Sequence, residues 1–298
     1  MKRWLLRLYA PVFLIGFVGT AVWLVGYART DALWLLPLLG AAAALSFLAE
    51  QLWPYDPDFN RSHGDRRRDT LHAVVNEGAN VLSIALLPLL SAAVPWRCWP
   101  TQWPFATQLL LAIVLADLGL TLMHYASHRV SWLWRLHAVH HSVTRMYGFN
   151  GLMKHPLHQA VEASFGVLPL VLLGMPAPLA AVLAFAIAIQ LLLQHSNVDL
   201  QPGLLGRVMA WAPLHRFHHL RYGRAGDVNF GLFFTVWDRL LGTSFDAPGY
   251  RPSSADLGIG AQPDYPRGYV AQLLAPFREL PSGEVPVLPP QLVQPRSS

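Results

Sequence analysis

Charge is what this chain has least of. Asp, Glu, Lys and Arg make up 13% of its 298 residues, about half of the roughly 25% in an ordinary globular domain. A chain so poor in charge cannot cover a large water-facing surface, which excludes a typical soluble enzyme. Cysteine is almost absent as well. Cys98 stands alone, so neither an intrachain disulfide framework nor a cysteine-based metal site can form. A basic stripe is also missing. The net charge of +5 and the pI near 9.6 come from Lys and Arg at the ends of apolar runs, where the positive-inside bias places them. They do not form a face for nucleic acid.

What fills the chain is apolar. Hydrophobic residues make up 53%, mean hydropathy is +0.33, and 11 Trp lie scattered near the ends of apolar runs. This is the composition of an integral membrane protein. The start, MKRWLLRLYAPVFLIGFVGTAVWLVGYA, is basic like a signal peptide, but its apolar run is long and no A-x-A site follows. It reads as a first span. A span needs about 20 mainly apolar residues. Candidates are 4–28, 32–50, 71–95 and 105–123, followed by a shorter pair, 160–174 and 177–194, joined by GMPAP. The expected fold class is therefore an all-α integral membrane protein: about four transmembrane helices, a short helical hairpin and a His-rich helical cap. Three regions follow: 1–104 with the N-terminal spans and a basic loop, 105–245 with the chemistry, and a Pro-rich tail, 246–298. The last 18 or so residues of that tail are expected to be disordered.

Orientation follows from the loop DPDFNRSHGDRRRD, which holds Arg61, Arg66, Arg67 and Arg68, and from Lys2, Arg3 and Arg7 at the N-terminus. Both belong on the cytoplasmic side. Counting spans from there puts residues 124–158 and everything after 194 on that same side, whether 160–194 crosses the bilayer or dips into it. Segment 96–104 falls on the other side.

There are 13 histidines, and 11 of them lie between positions 124 and 219. HYASH sets His124 and His128 four apart. HAVHH sets His137, His140 and His141 at i, i+3 and i+4, and HRFHH repeats that spacing with His215, His218 and His219. On a helix each set shares one face, and imidazole is the commonest side-chain ligand for Fe, Zn and Cu. Four ligands satisfy a structural zinc ion, so eight histidines are too many for one ion. With His195, at the end of the last apolar run, the nine imply two neighbouring metals with open positions.

These motifs carry a resemblance. The ordered series DLGLTLMHYASHR, WRLHAVHHS, QHSNV, PLHRFHH and NFGLFFTVWDRLLGT, covering roughly 110–245, resembles the fatty acid hydroxylase and sterol desaturase superfamily of membrane-bound histidine-box di-iron oxygenases. The resemblance implies membrane helices under a cytosolic cap and two iron ions, with zinc as an occupant the same ligands would suit. It also implies O2-dependent hydroxylation of a lipid C–H bond, with desaturation as the alternative, and electrons from a separate reductase, ferredoxin or cytochrome-type donor. A lipid substrate would enter from the bilayer, and the composition suits a bacterial inner membrane. By the same resemblance the ligands are His124, His128, His137, His140, His141, His195, His215, His218 and His219. Where some members carry another histidine four positions after the isolated one, this chain has Asp199, which is expected to orient a ligand or bind metal itself.

Other residues are weighed beside these. Asp117 lies seven positions before His124 on the same helical face. An intramembrane carboxylate is a functional candidate, and this one is expected to accept a hydrogen bond from a ligand imidazole. Asn229 and Asp238, with Asp227, follow the last box and are expected to orient ligands, the bland alternative being a turn and a helix packed on the cap. His155 and His158, in KHPLH, are weaker candidates because Pro156 disfavours a helical conformation at His155. His63 and His72 read as interfacial residues. Glu77, Asn76 and Asn80 line a polar passage or a substrate head-group site, or make a helix–helix hydrogen bond. Arg66, Arg67 and Arg68 set topology and meet anionic lipid, or dock an acidic electron carrier. Two rival functions remain. A histidine relay in a metal or proton transporter predicts histidines within the spans. A two-zinc membrane hydrolase uses the same ligands.

Overall fold

A computed structural model describes residues 2–93 and 96–293. Among them the chain is helical with three isolated β-bridges and no strand. Helices α1 (Lys2–Ala21), α2 (Leu35–Leu52), α3 (Arg66–Ala93) and α4 (Phe105–Ser127) come first. Then follow α5 (Ser131–His141), α6 (Pro156–Gly166), α7 (Leu168–Leu172), α8 (Ala177–Gln194), α9 (Ala212–His218), α10 (Val236–Leu241) and α11 (Tyr269–Leu274).

Among the described residues five segments are long and apolar enough to cross a membrane: Lys2–Tyr27, Ala32–Leu52, Arg66–Leu87, Phe105–Ser127 and Ala177–Gln194. The expected hairpin thus resolves unequally. Its first half is the short pieces α6 and α7, and its second half is a full helix. Burial separates α8 from the other four spans. Its apolar window is 78% buried, against 17–33% for the rest, because it packs against α1, α2, α3 and α4 as the centre of the bundle. The outer helices turn Ile15, Leu48, Leu82 and Leu110 outward, as lipid-facing helices must when the surrounding solvent is hydrocarbon.

The third span begins earlier than its hydropathy suggests, at Arg66. Arg68 is consequently turned inward, 8% exposed and 2.7 Å from Asp69, which corrects its reading as a lipid-facing charge. The end expected for that span, residues 94 and 95, lies outside the described residues. His72 is not interfacial but fully buried: its Nδ1 meets the Lys154 carbonyl at 2.9 Å and its Nε2 meets Gln272 Oε1 at 3.0 Å.

The link between α5 and α6 passes so close to α8 that a Cβ on Gly151 would stand 2.5 Å from the Leu191 carbonyl oxygen. Only glycine allows that approach. After α10 the chain folds back over the cap. Gln272 is fully buried and donates to Ser142 and to the Pro266 carbonyl. Leu292 is buried against Phe217 and Leu220. Leu292 is thus a buried contact within the stretch expected to be disordered from about 281; 294–298 lie outside the described residues.

Candidate metal centre

The histidines gather where several helices end on one side of the bundle. His124 lies in the last turn of α4 and His128 caps it. The α5 helix carries His137, His140 and His141 in its second half, His195 caps α8, and α9 carries His215 and His218 with His219 as its cap. Their nitrogens form two groups, each with all ligand atoms within 4.8 Å of one another. The first is His124, His128, His137, His141 and His218. The second is His140, His195, His215 and His219. Each box is split. The i, i+4 pair of HAVHH serves the first group and its middle histidine the second, while HRFHH does the reverse. The groups adjoin, with the His141 and His219 rings stacked 4.6 Å apart.

The proton arrangement at these rings tests whether they suit metals. Five of the nine use Nδ1 outward. His124 Nδ1 meets the Phe230 carbonyl at 2.9 Å, His218 Nδ1 the Val228 carbonyl at 2.8 Å and His140 Nδ1 the Met153 carbonyl at 2.9 Å. His128 Nδ1 meets Asp227 Oδ1 at 3.0 Å, and His195 Nδ1 meets Asn150 Oδ1 at 3.1 Å. A carbonyl or carboxylate oxygen only accepts, so each Nδ1 donates and each Nε2 keeps a bare lone pair. The Asn150 amide is oriented by its Nδ2, which donates to the Arg145 carbonyl at 2.7 Å. At His128 and His195 that lone pair faces the Nε2 of a neighbouring imidazole. Nε2 atoms are 3.1 Å apart for His128–His141, 3.0 Å for His141–His137, and 3.1 Å for both His215–His195 and His215–His219. The Nε2 atoms of His124 and His218 are buried with no partner at all. Lone pairs packed together in this way repel unless a cation lies between them. Two nitrogens each about 2.1 Å from a metal would stand at about these separations, so the residues fit two ions.

Burial is the largest influence on these rings. It pushes the His137, His141, His195, His215, His218 and His219 pKa values well below the usual imidazole range, helped by neighbouring imidazoles. For His140 the value falls to about 3. A neutral ring is what a metal ligand requires.

Of the residues expected to orient ligands, Asp227 meets an imidazole and the others act differently from the expectation. Asp117 touches no imidazole. Its carboxylate accepts the backbone N–H groups of Leu232, Phe233 and Phe234 and the indole N–H of Trp237, at 2.8–3.1 Å. Asp238 accepts from the N–H groups of Phe230 and Gly231 and from the Thr243 hydroxyl. Together they fix the segment that offers the Phe230 carbonyl to His124, one step removed from the ligands. Asn229, at φ +54°, donates to the carbonyls of Leu214 and Phe245 and so ties the start of the last box to the turn after α10. Asp227 is the carboxylate that reaches a histidine directly. Asp199 does not: it faces Arg251 at 3.3 Å, which corrects its assignment as a ligand or an orienting group. His155 is also excluded from the groups, because its Nδ1 accepts the Leu157 N–H and its Nε2 meets the Leu273 carbonyl. His158 lies beside His137 and with Glu162 forms a third candidate ligand group, its Nε2 engaged by the Ser127 hydroxyl at 2.9 Å.

Several residues had no place in the sequence reading. Glu50, buried at the end of α2, accepts the N–H groups of Gly148 and Asn197. Arg145 forms a paired contact with Asp65 at 2.7 and 2.8 Å while its backbone carbonyl holds Asn150. A lone carboxylate in an apolar run is a readable signal for Glu50. Nothing local marks Asn150 or Arg145. The centre is approached from two sides. A cavity of about 110 Å³ between α3, α4, α6 and α8 reaches His124, His137, His140 and His215, and one of about 350 Å³ under the tail reaches His128, His141 and His218 beside Trp134 and Arg224. The histidines lie at helix ends in one buried cluster and are not strung through the spans as a relay would need.

Comparison with known proteins agrees with this site. A family model described as "Fatty acid hydroxylase" matches residues 109–243. The chain is 34% identical over 255 residues to ornithine lipid hydroxylase OlsE of Rhizobium tropici, covering 82% of this chain and 76% of that protein. It is 28% identical to an alkylglycerol monooxygenase of Danio rerio, over 50% of this chain and 32% of the relative. It is 32% identical to methylsterol monooxygenase 1 of the same fish, over 50% of each. The chain thus spans three quarters of the bacterial relative and half or less of these two animal ones. No solved structure matches. A helical membrane bundle ending in two groups of histidines, with these relatives, places the chain in the fatty acid hydroxylase superfamily, whose named relatives here are oxidoreductases that hydroxylate lipids.

Proposed function

We propose that the nine histidines hold two iron ions and that the protein inserts one oxygen atom of O2 into a C–H bond of an amphipathic amino-acid lipid of the ornithine-lipid type. The observation that carries this reading is the paired grouping of bare Nε2 atoms at the end of a cavity between membrane helices. The reaction balances as C–H plus O2, two electrons and two protons giving C–OH and water. The iron supplies the O2 activation that no side-chain acid or base provides.

The chain's own part is positional. Asp227, Asn150 and the carbonyls of Met153, Val228 and Phe230 fix the ring planes. Leu152, Leu191, Leu232 and Phe230 line the cavity beside the histidines and exclude water from it. The electrons come from a separate reductase, ferredoxin or cytochrome-type donor. The cavity under the tail, with Arg221 and Arg224 on its rim, supports an approach from that side, remote from the lipid. We assign the chain to a bacterial inner membrane with the boxes and the N-terminus cytoplasmic, and residues 105–245 to the catalytic unit. The printed names of the relatives, hydroxylase and monooxygenase, favour oxygen insertion over desaturation.

The test is elemental analysis of purified protein, followed by incubation with N-acyl ornithine lipid, labelled O2 and a ferredoxin–reductase pair. Two irons per chain and a product heavier by one labelled oxygen are expected. Two tightly held zincs with oxygen-independent cleavage of the lipid would replace this reading with the hydrolase.

A further inference from the structure

The cavity that reaches the histidines from the membrane side has Leu120, Val167 and Ile187 in its wall, yet three charged side chains also line it: Lys154, Glu162 and Glu77. Charges are costly there and need partners. Lys154 and Glu162 meet at 2.6 Å. Two carboxylates then stand against one ammonium, and the excess negative charge is Glu77. Among the described residues its carboxylate has one hydrogen-bond partner, the Asn80 amide at 3.3 Å. That amide is oriented for the purpose, because Gln159 Nε2 donates to Asn80 Oδ1 at 2.8 Å and turns the amide nitrogen towards Glu77. Glu77 is a positioned carboxylate with no cation of its own.

A second cavity, of about 210 Å³, shares Glu77, Asn80, Ala184 and Ala188 with the first and runs on between α2, α3 and α8 past Leu36, Leu39 and Ile84. Glu77 and Asn80 stand at the junction. On one side is a polar chamber against the histidines, on the other an aliphatic groove within the bundle. A molecule filling both has its acyl chain in the groove and its polar end in the chamber.

We propose that Glu77 receives the ammonium and Lys154 the carboxylate of a zwitterionic amino-acid head group, and that these two side chains set the substrate class. This rests on the lipid-oxygenase reading above. Lys154 keeps Glu162 as its counter-charge and has further N–H donors to offer. A neutral sterol or alkylglycerol head would leave the Glu77 carboxylate in the cavity without a cation, which is how the site rejects them.

The test uses the full chain in nanodiscs and three synthetic lipids with identical acyl chains: N-acyl ornithine, its δ-N-acetyl derivative, which lacks the ammonium, and its methyl ester, which lacks the carboxylate. Wild type is expected to prefer the zwitterion over either derivative by at least about tenfold in kcat/KM, as a site built around a polar group does. In Glu77→Gln the preference over the acetylated lipid collapses to about twofold or less while that over the ester persists, and Lys154→Met gives the converse. Glu77→Asp restores part of the first preference. If wild type hydroxylates all three lipids equally, the head-group assignment is wrong although the oxygenase reading stands, and this comparison needs no variant to fold. If wild type hydroxylates none, the oxygenase reading itself fails and takes the assignment with it. Variants whose preferences match wild type would also overturn the assignment.

Discussion

At the scale of single residues, the centre depends on what lies behind the imidazoles. Among the described residues Asp227 is the one carboxylate on a ring of the two groups, 3.0 Å from His128 Nδ1. Replacing it with alanine removes the acceptor that fixes the tautomer, and outer partners of this kind are typically worth about 10–100-fold in metal affinity. Asp227→Ala should therefore give up metal to a chelator at roughly that much lower concentration, read by competition against a chromophoric chelator. Asp65 is a second case. Burial raises its pKa, but the hydrogen bonds and charge of Arg145 outweigh burial and the net shift is downward. A lowered folded value means that the carboxylate stabilises the fold fully above the ordinary Asp pKa of about 4 and loses that contribution as pH falls through the folded value. Asp65→Asn leaves Arg145 buried without its charge, at a cost of about 3 kcal/mol. The gap between the wild-type and Asp65→Asn melting midpoints should hold from pH 7 to about pH 5 and narrow below about pH 4. The sequence showed the nine histidines because a ligand must be a particular side chain. It hid their partners, because the carbonyls of Phe230, Val228 and Met153 belong to the backbone and any residue supplies one.

At the scale of elements, close approach and helix ends do the positioning. Gly151 brings the α5–α6 link onto α8, and its missing Cβ would also lie 3.1 Å from His195 Cδ2. Gly151→Ala should cost roughly 1–3 kcal/mol by overpacking and should displace His195. The expected outcome is a lower melting midpoint together with reduced metal content, with loss drawn from the second group. The segment 230–234 is held from two helices, by Asp117 in α4 and Asp238 in α10. A buried carboxylate accepting from several N–H groups cannot be removed cheaply. Asp117→Ala should destabilise the protein by roughly 2–4 kcal/mol, seen as a lower midpoint in detergent even when no metal is added. The spans were legible because about 20 apolar residues leave few alternatives. The start of α3 was not, because Arg68 pairs with Asp69 and can enter the helix where hydropathy alone would end it. Asp117 stands out in the sequence as a carboxylate within an apolar run. Its role was missed because the face it shares with His124 also faces a loop more than 100 residues away in the chain.

At the scale of the whole molecule, orientation rests on one convenient residue. Cys98 is exposed and lies in the connection between α3 and α4, whereas His124 lies in the last turn of α4, at the far end of a 23-residue helix that rises about 35 Å. In intact cells a membrane-impermeant maleimide should label Cys98, and after lysis a cysteine introduced at the exposed Arg224 should become labelled as well. Labelling in the reverse order would place the boxes outside and contradict a cytoplasmic electron donor. The tail from 246 shows little apolar periodicity in the sequence, and its last 18 or so residues were expected to be disordered. Its anchors, Gln272 and Leu292, are isolated contacts that no periodicity announces.

The division of each box between the two groups also sets an order of events during synthesis. The first group needs His218 from the last box, and the second needs His215 and His219 as well. Neither can be completed while the ribosome is still translating the membrane helices. By the time residue 219 leaves the exit tunnel, all five long apolar helices have already been made. Both sites therefore become competent together, within a few residues of each other. Completion of both groups is then one late step of biogenesis, reached only when the last box has been made.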